Sequence, residues 1–460
     1  MPREQLAEAT VSLFPGGRSK IIRASSEMQD DDKMLVGCCR MVCLAMLPVA
    51  LLAETAWAQT LPKNRRATIE PSLINVAPGG EQSFKIILSA TRLMAATLPK
   101  EVKWAVNDLP GGNDKVGTIT ADGRYRAPTT PPSPRELHIC AEVTEATNRY
   151  LWATVIVGEG QPVYKPCGYW TEPVILDKGR TEHLVDPHGI GVAADGTLLI
   201  ADTKGNQVVR FAPEGKFLGK IGNGEGSEPG QFTEPRIVTT DSQGRIYVSD
   251  SKGDRPRIQI FSPQGEFLHI FAEKGLRPGM ILRSHGMSLD PQGRLFVIDV
   301  DNMRVSFYDR ENRHLGDWGR EGLWPGELNA PHGIFADKNG DVFVNGYYGP
   351  TAKFNSEGDY VLSFCFPDPP DGPVYFHNMT GDRWGDVYIS VRSKGGYQGA
   401  LQKGGKTISL VKYNNNGTFV TGWGLTGVHS ESSAVVDAQG RVFCLFKGEK
   451  EMGVEVFQEE

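Results

Sequence analysis

The 460-residue sequence predicts an all-β chain, a six-bladed β-propeller over residues 171–460 behind a small β-sandwich over residues 64–158. Three observations carry this prediction. A turn ending in glycine recurs six times at nearly constant spacing. Apolar residues alternate with period two in the stretch before the first of these turns, as in half-buried strands. The 54 glycines and 30 prolines are spread along the chain, as tight turns between many short strands require.

Residues 1–58 read as an N-terminal extension and secretory signal. MVCLAMLPVALLA at 41–53 is an unbroken apolar run of 13 residues, shorter than the roughly 20 that span a bilayer. Lys33 and Arg40 precede it and Ala56-Trp57-Ala58 follows it, the charged flank and small-x-small site of a signal peptide. Cleavage is expected after Ala58. That implies a secreted, periplasmic or cell-surface protein with no transmembrane segment in the mature chain. Met28 and Met34 are alternative starts. Of seven cysteines, Cys38, Cys39 and Cys43 lie in the segment to be removed. Cys140, Cys167, Cys365 and Cys444 are too scattered for a disulfide framework or a thiolate zinc site. A net charge of −6 gives no electrostatic case for nucleic acid as a partner.

In residues 64–158 the strand faces are Phe84, Ile86 and Leu88, then Leu137, Ile139, Ala141 and Val143, continued by Trp152, Thr154 and Ile156. Pro78-Gly79-Gly80, Pro110-Gly111-Gly112 and Asp122-Gly123 punctuate them, which indicates an antiparallel sandwich with Trp104 on a central strand. The segments IEPSLINVAPGGEQSFKI, VKWAVNDLPGGNDKVGTITADGRYRAP and LHICAEV resemble bacterial immunoglobulin-like domains. The resemblance implies a spacer or adhesive module. Residues 159–170, EGQPVYKPCGYW, read as a linker.

The repeated turns are AADG at 193–196, DSQG at 241–244, DPQG at 290–293, DKNG at 337–340, DRWG at 382–385 and DAQG at 437–440. Each stands between two apolar strands. A third strand follows, ending in Phe211, Phe261, Tyr308, Phe354 or Tyr413 in five units. Four short strands per repeat make a propeller blade, because a single blade cannot bury both faces and a ring of blades can. PHGIGVAADGTLLIADTKGNQVVRFAPEGKFLGKIG in the first unit and APHGIFADKNGDVFVN in the fourth resemble the NHL repeat. The resemblance implies a binding platform for a protein or small molecule on the top face. The last unit ends on its third strand at Val454–Phe457, so residues 173–176 are expected to supply its fourth.

One repeat position is chemically distinctive. His188, Arg236, His285, His332, His377 and His429 stand at the start of the six innermost strands, where they would ring the channel mouth. Neutral imidazoles around an axis can hold a divalent ion such as zinc, and His188, His285 and His377 lie in alternate blades. The sequence itself assigns no cofactor. The arrangement also resembles the peptide-amidating lyases, whose NHL-like propeller holds zinc on three histidines; this implies a metal-dependent lyase or hydrolase as the alternative to a binding platform. The chain departs from the lyase pattern with Asp250-Ser251-Lys252 and Asp299-Val300-Asp301, and only a shifted register offers Tyr347 and Arg392 in place of the lyase tyrosine and arginine. The Pro-His-Gly turn is equally compatible with a purely structural role. The insertion at 391–407 carries Arg392, Lys394, Lys403, Lys406 and Tyr397, a basic set suited to an anionic ligand such as a carboxylate or sugar acid. Asp202, Asp250 and Asp299 are expected to cap turns.

Overall fold

The computed structural model describes residues 66–89, 98–173, 183–251, 255–347, 349–365, 374–393, 401–403, 406–425, 431–448 and 451–460. The signal segment and His429 lie outside these residues. The described chain is all-β, and among the described residues no helix is long and apolar enough to cross a membrane.

Each of units 1 to 5 forms one antiparallel four-stranded sheet whose strands follow chain order from the inside outward, and unit 6 supplies the three inner strands of a sixth. Unit 1 comprises Pro187–Val192, Leu198–Asp202, Gln207–Phe211 and Phe217–Ile221. In every unit the glycine of the sequence turn has φ between 76° and 86° and its N–H donates to the carbonyl of the residue three before it. That left-handed backbone is the reason for glycine there.

The second strands are apolar throughout because both of their faces are covered. Leu198 and Ile200 pack toward Val454 and Val456 of unit 6, whereas Leu199 and Ala201 pack toward Val238 and Val248 of unit 2. Every neighbouring pair of sheets has its own apolar cluster, and units 6 and 1 share one too. The innermost strands likewise meet in cyclic order, the last against the first. This is a propeller-type arrangement.

The sixth sheet is completed from the N-terminal side, by a different segment from the one expected. Tyr164–Pro173 pairs with Glu451–Glu459, with Trp170 opposite Val454 and Pro166 opposite Phe457. Residues 164–170, expected as linker, are therefore strand; of the expected segment, residues 174–176 lie outside the described residues. Two prolines and a glycine disguise the strand in sequence. As the outermost strand it tolerates proline, and a register shift between Pro166 and Gly168 absorbs the irregularity.

The N-terminal unit has a five-stranded sheet in the order Leu73–Val76, Tyr150–Val157, Glu136–Glu142, Lys103–Val106 and Leu109–Pro110, with smaller sheets opposite. Phe84, Ile86, Leu88, Leu137, Ile139, Ala141 and Val143 form its core, and Trp104 packs against that core from next to the edge rather than from the central strand. The face of the last strand differs from expectation. Leu151, Ala153, Val155 and Val157 point into the core. Trp152, Thr154 and Ile156 point away from it, sharing a face with Cys140, His138 and Glu136 on the neighbouring strand. They are buried all the same, because that face lies against the propeller: Asn416 Nδ2 donates to the Trp152 carbonyl at 3.0 Å and His138 Nε2 stands 3.1 Å from Asp386 Oδ2.

Candidate functional site

The channel residues are built on an irregularity common to the innermost strands. In unit 1 the pairing runs Pro187↔Asp202 and then Gly189↔Ala201, so His188 has no cross-strand partner. Arg236, His285 and His332 occupy the same skipped position in units 2, 3 and 4. In unit 5 the ladder passes from Phe376↔Val391 to Met379↔Ile389 and skips His377. A β-bulge breaks the alternation of side chains and re-aims one of them. Here it turns one side chain toward the axis in each of units 1 to 5.

The residue after the bulge explains the Pro-His-Gly signature. A Cβ on Gly189 would lie 2.3 Å from the Arg236 carbonyl oxygen, and one on Gly286 would lie 2.9 Å from that of His332. A Cβ on Gly333 would lie 2.8 Å from the Met379 amide. Glycine thus lets the next inner strand approach closely enough for successive imidazoles to meet.

A buried carboxylate holds each of the first three bulges in place. Asp202 accepts from the amides of Val185 (3.0 Å) and Asp186 (2.7 Å), Asp250 from Thr233 (2.9 Å) and Glu234 (2.7 Å), and Asp299 from Leu282 (3.0 Å) and Arg283 (3.2 Å). All three are 0% exposed. They fasten the loop arriving at the inner strand two residues before the channel side chain, 16 or 17 residues away in sequence, and Asp202 and Asp299 also hold the turn beside them, through the Gly205 amide and Asn302 Nδ2. In unit 4 Gly346 stands at the carboxylate position, and Asn345, one residue earlier, accepts instead from the amide of Gly333, the residue after His332, at 2.6 Å.

The four channel histidines among the described residues form a continuous cluster. Ring centroids are 4.6 Å apart for His285 and His332, 4.5 Å for His332 and His377, 5.7 Å for His377 and His188, and 6.4 Å for His188 and His285. His285 Nδ1 and His332 Nε2 are 3.0 Å apart, within hydrogen-bonding distance. Arg236 donates to His188 Nε2 at 2.9 Å and pairs with Glu234 at 3.1 Å. Burial, reinforced by His332 and Arg236, drives the His285 imidazole down to about 2, so it is neutral at physiological pH. Its Nε2 is buried without a hydrogen-bond partner. Tyr347 borders the cluster, 5.6 Å from His332 and 5.4 Å from Tyr375 by ring centroid. Tyr375, overlooked in the sequence, lies across the strand pair from Arg392. Its signal was its position two residues before the channel histidine. His429 lies outside the described residues, as do Lys394 and Tyr397; 401–403 and 406–408 pair as a short hairpin.

Imidazoles and a guanidinium offer ring nitrogens and N–H donors, a set able to receive either an anion or, through nitrogen lone pairs, a metal ion. Among the described residues, the group whose potential ligand atoms all lie within 4.8 Å of one another is a different one, Glu136, His138 and Asp386. It already encloses a cation, since Lys412 Nζ lies 3.1 Å from Asp386 and contacts Glu136.

No family model matches the chain. By sequence it is similar to the brain tumor protein of Drosophila melanogaster, 26% identical over 175 residues, which covers 37% of this chain and 16% of that protein. It is similar to the peptidylglycine alpha-amidating monooxygenase of Rattus norvegicus, 30% identical over 138 residues, 28% of this chain and 14% of that protein. It is similar also to the human NHL repeat-containing protein 3, 27% identical over 137 residues, 27% of this chain and 40% of that protein. The chain therefore spans well under two thirds of each of these curated relatives. Among solved structures it is similar to a streptogramin B lyase, 12% identical, with TM-score 0.42 over 63% of this chain and 98% of that one. A Bacteroides thetaiotaomicron protein of unknown function gives 13% identity and TM-score 0.46 over 86% of this chain and 100% of that one. The chain is a distant relative of NHL-repeat proteins and of the amidating monooxygenases.

Proposed function

We propose that this chain is an exported six-bladed NHL-type propeller that binds a small anionic ligand at the mouth of its central channel, with an immunoglobulin-like sandwich on the opposite face. Six four-stranded sheets packed in cyclic order support six blades. The segment at 41–58 supports export, with Gln59 as the mature N-terminus. The observation that carries the binding reading is the series of bulges that turns Arg236 and four imidazoles inward at one end of the inner strands. The sandwich contacts the first-to-second-strand turns, at the other end, and leaves this end uncovered by it. Tyr347 and Tyr375 add aromatic surface beside the polar donors, as small-molecule sites commonly have.

The relation to the amidating monooxygenases, together with the partnerless Nε2 of neutral His285, favours a second reading, a metal-dependent lyase or hydrolase. His188, His285 and His377 would hold the ion, and zinc there would polarise a substrate hydroxyl or carbonyl. Arg236 at His188 Nε2 opposes it, because a guanidinium repels a cation.

One experiment separates the readings. Zinc, manganese and calcium are measured in the purified native protein and in His285→Ala, and binding of gluconate and acetate is measured by calorimetry in the native protein and in Arg236→Met. Metal-free native protein that binds a carboxylate only with Arg236 present is the expected result. Stoichiometric metal lost in His285→Ala would establish the second reading, and neither metal nor carboxylate binding would sink both.

A further inference from the structure

The sandwich does not rest on the propeller at random; it lies over the joint between units 5 and 6, beside the strand that completes the sixth sheet. Glu136 and His138 project from its strand Glu136–Glu142. His138 stacks on Trp384 of the unit 5 turn, ring centroids 4.8 Å apart, and its Nε2 is 3.1 Å from Asp386 Oδ2. Lys412, on the third strand of unit 5, reaches Glu136 and Asp386 and stands 4.0 Å from Asp382. The Glu136 amide donates to Glu459 Oε1, on the last strand of unit 6, at 2.8 Å. Tyr164, on the closing strand, stacks on Trp423 of unit 5 at 4.2 Å, and its hydroxyl is 3.2 Å from that of Tyr388. One sandwich strand thus touches unit 5 and unit 6 together.

The charges at this joint do not balance. From the sandwich strand come Glu136 and His138; from the unit 5 turn, Asp382 and Asp386; from the unit 5 strands, Lys412 and Tyr388; from unit 6, Glu459 and Tyr164. Four carboxyl groups face two cationic groups, with Glu136, His138, Asp386 and Lys412 all nearly inaccessible to water. Charges removed from water must be paired or neutralised; those four balance two against two, so ionising the partly exposed Asp382 and Glu459 adds negative charge that the joint leaves uncompensated.

We propose that the N-terminal unit is a proton-dependent clamp across the joint between units 5 and 6, docked while the surplus carboxyls hold their protons and loosened as those protons leave. The titration of the individual groups agrees. Burial, then Glu136, pushes Glu459 up to about 7, and burial, then Asp386, pushes Asp382 up to about 6. Burial would lower His138, but Asp386 and Glu136 outweigh it and raise the imidazole to about 9. Burial would raise Asp386, but Lys412 and His138 hold it well below the usual carboxylate range. Each raised group contributes docking stability below its unfolded pKa and loses it as pH rises through its folded value. Glu459 and Asp382 act between about pH 4 and 7, and His138 between about pH 6.5 and 9. Asp386 acts in the other direction and weakens docking only in strong acid. The clamp is accordingly tightest near pH 4 and slackens toward pH 9.

The test is hydrogen exchange of the full chain from pH 5.5 to 9.5, corrected for the intrinsic exchange rate. Peptides covering 136–142 and 410–413 report the clamp, and 295–299 in unit 3 serves as internal reference. Clamp protection should fall at least about ten-fold, the equivalent of one pKa unit, while the reference stays constant. Glu459→Gln retains an acceptor for the Glu136 amide but cannot ionise, so at pH 8 it should protect the clamp better than the native side chain does. A flat native profile, or a Glu459→Gln profile that falls as the native one does, would overturn the proposal.

Discussion

Asp299 shows how a single side chain organises the site without belonging to it. It is buried beside Arg304 and accepts the amides of Leu282 and Arg283, which fixes the chain two residues before His285. Asp299→Ala leaves both amides without that acceptor, at a cost of about 1–3 kcal/mol each. Asp299→Asn retains one oxygen and is expected to lose clearly less. Urea unfolding reads both as shifts in midpoint at constant slope. Two variants as stable as the native protein would show that the loop is held by other means. The sequence marks Asp202, Asp250 and Asp299 as a repeated position, but local turn capping is the nearer reading. Beyond that turn, each also has partners 16 or 17 residues upstream, a distance only the folded sheet removes.

At the scale of the strand, closure of the sixth sheet depends on how tightly Tyr164–Pro173 meets Glu451–Glu459. A Cβ on Gly453 would stand 2.1 Å from the Trp170 carbonyl oxygen and 2.7 Å from Thr171 Cα, both backbone atoms with little room to yield. Gly453→Ala is therefore expected to destabilise the chain by about 1–3 kcal/mol, the usual range for overpacking. Gly349 has nothing within 4 Å of its Cβ position, so Gly349→Ala should fall within about 0.5 kcal/mol of native. Thermal unfolding of the pair tests the closing strand directly: equal losses would mean that this strand does not carry closure. The bulges belong to the same scale. Sequence alternation places the channel residues at the start of the inner strands, but the skipped pairing that turns them inward is a property of two strands together.

For the molecule as a whole, the sandwich and propeller are one unit rather than a domain on a tether. Besides the clamp, Arg66 pairs with Asp341, Asn339 exchanges hydrogen bonds with the Tyr150 backbone at 2.9 and 2.8 Å, and Lys338 lies 4.3 Å above the Tyr150 ring. A second buried set reinforces the propeller beneath. Lys353 stands 3.2 Å from Asp341, and Asn415 bridges Lys353 and Asp337 at 2.7 and 2.9 Å. Calorimetry of the full chain should show sandwich and propeller melting together. Lys412→Met strips Glu136 and Asp386 of their shared cation and should cost about 3–5 kcal/mol, as breaking a buried pair does. It should also separate the two transitions. Independent melting in the native chain would refute rigid docking.

The repeat, the turn glycines, the aromatic ends of the third strands and the channel position of His188, Arg236, His285, His332 and His377 are all legible in sequence, because each follows from a local rule applied six times. Alternation also marks Leu137, Ile139, Ala141 and Val143 as core. It cannot say why Tyr150–Val157 is apolar on both faces, or why a strand carries Glu136 and His138 at alternate positions. Those features answer to the propeller surface more than 200 residues away in the chain. The pairing of Lys412 with Glu136, the closing strand hidden among prolines, and the contact of one imidazole with the next are decided by tertiary structure alone. Local pattern encodes which face of a strand is dry, whereas the partner that keeps it dry is chosen only when the whole chain has packed.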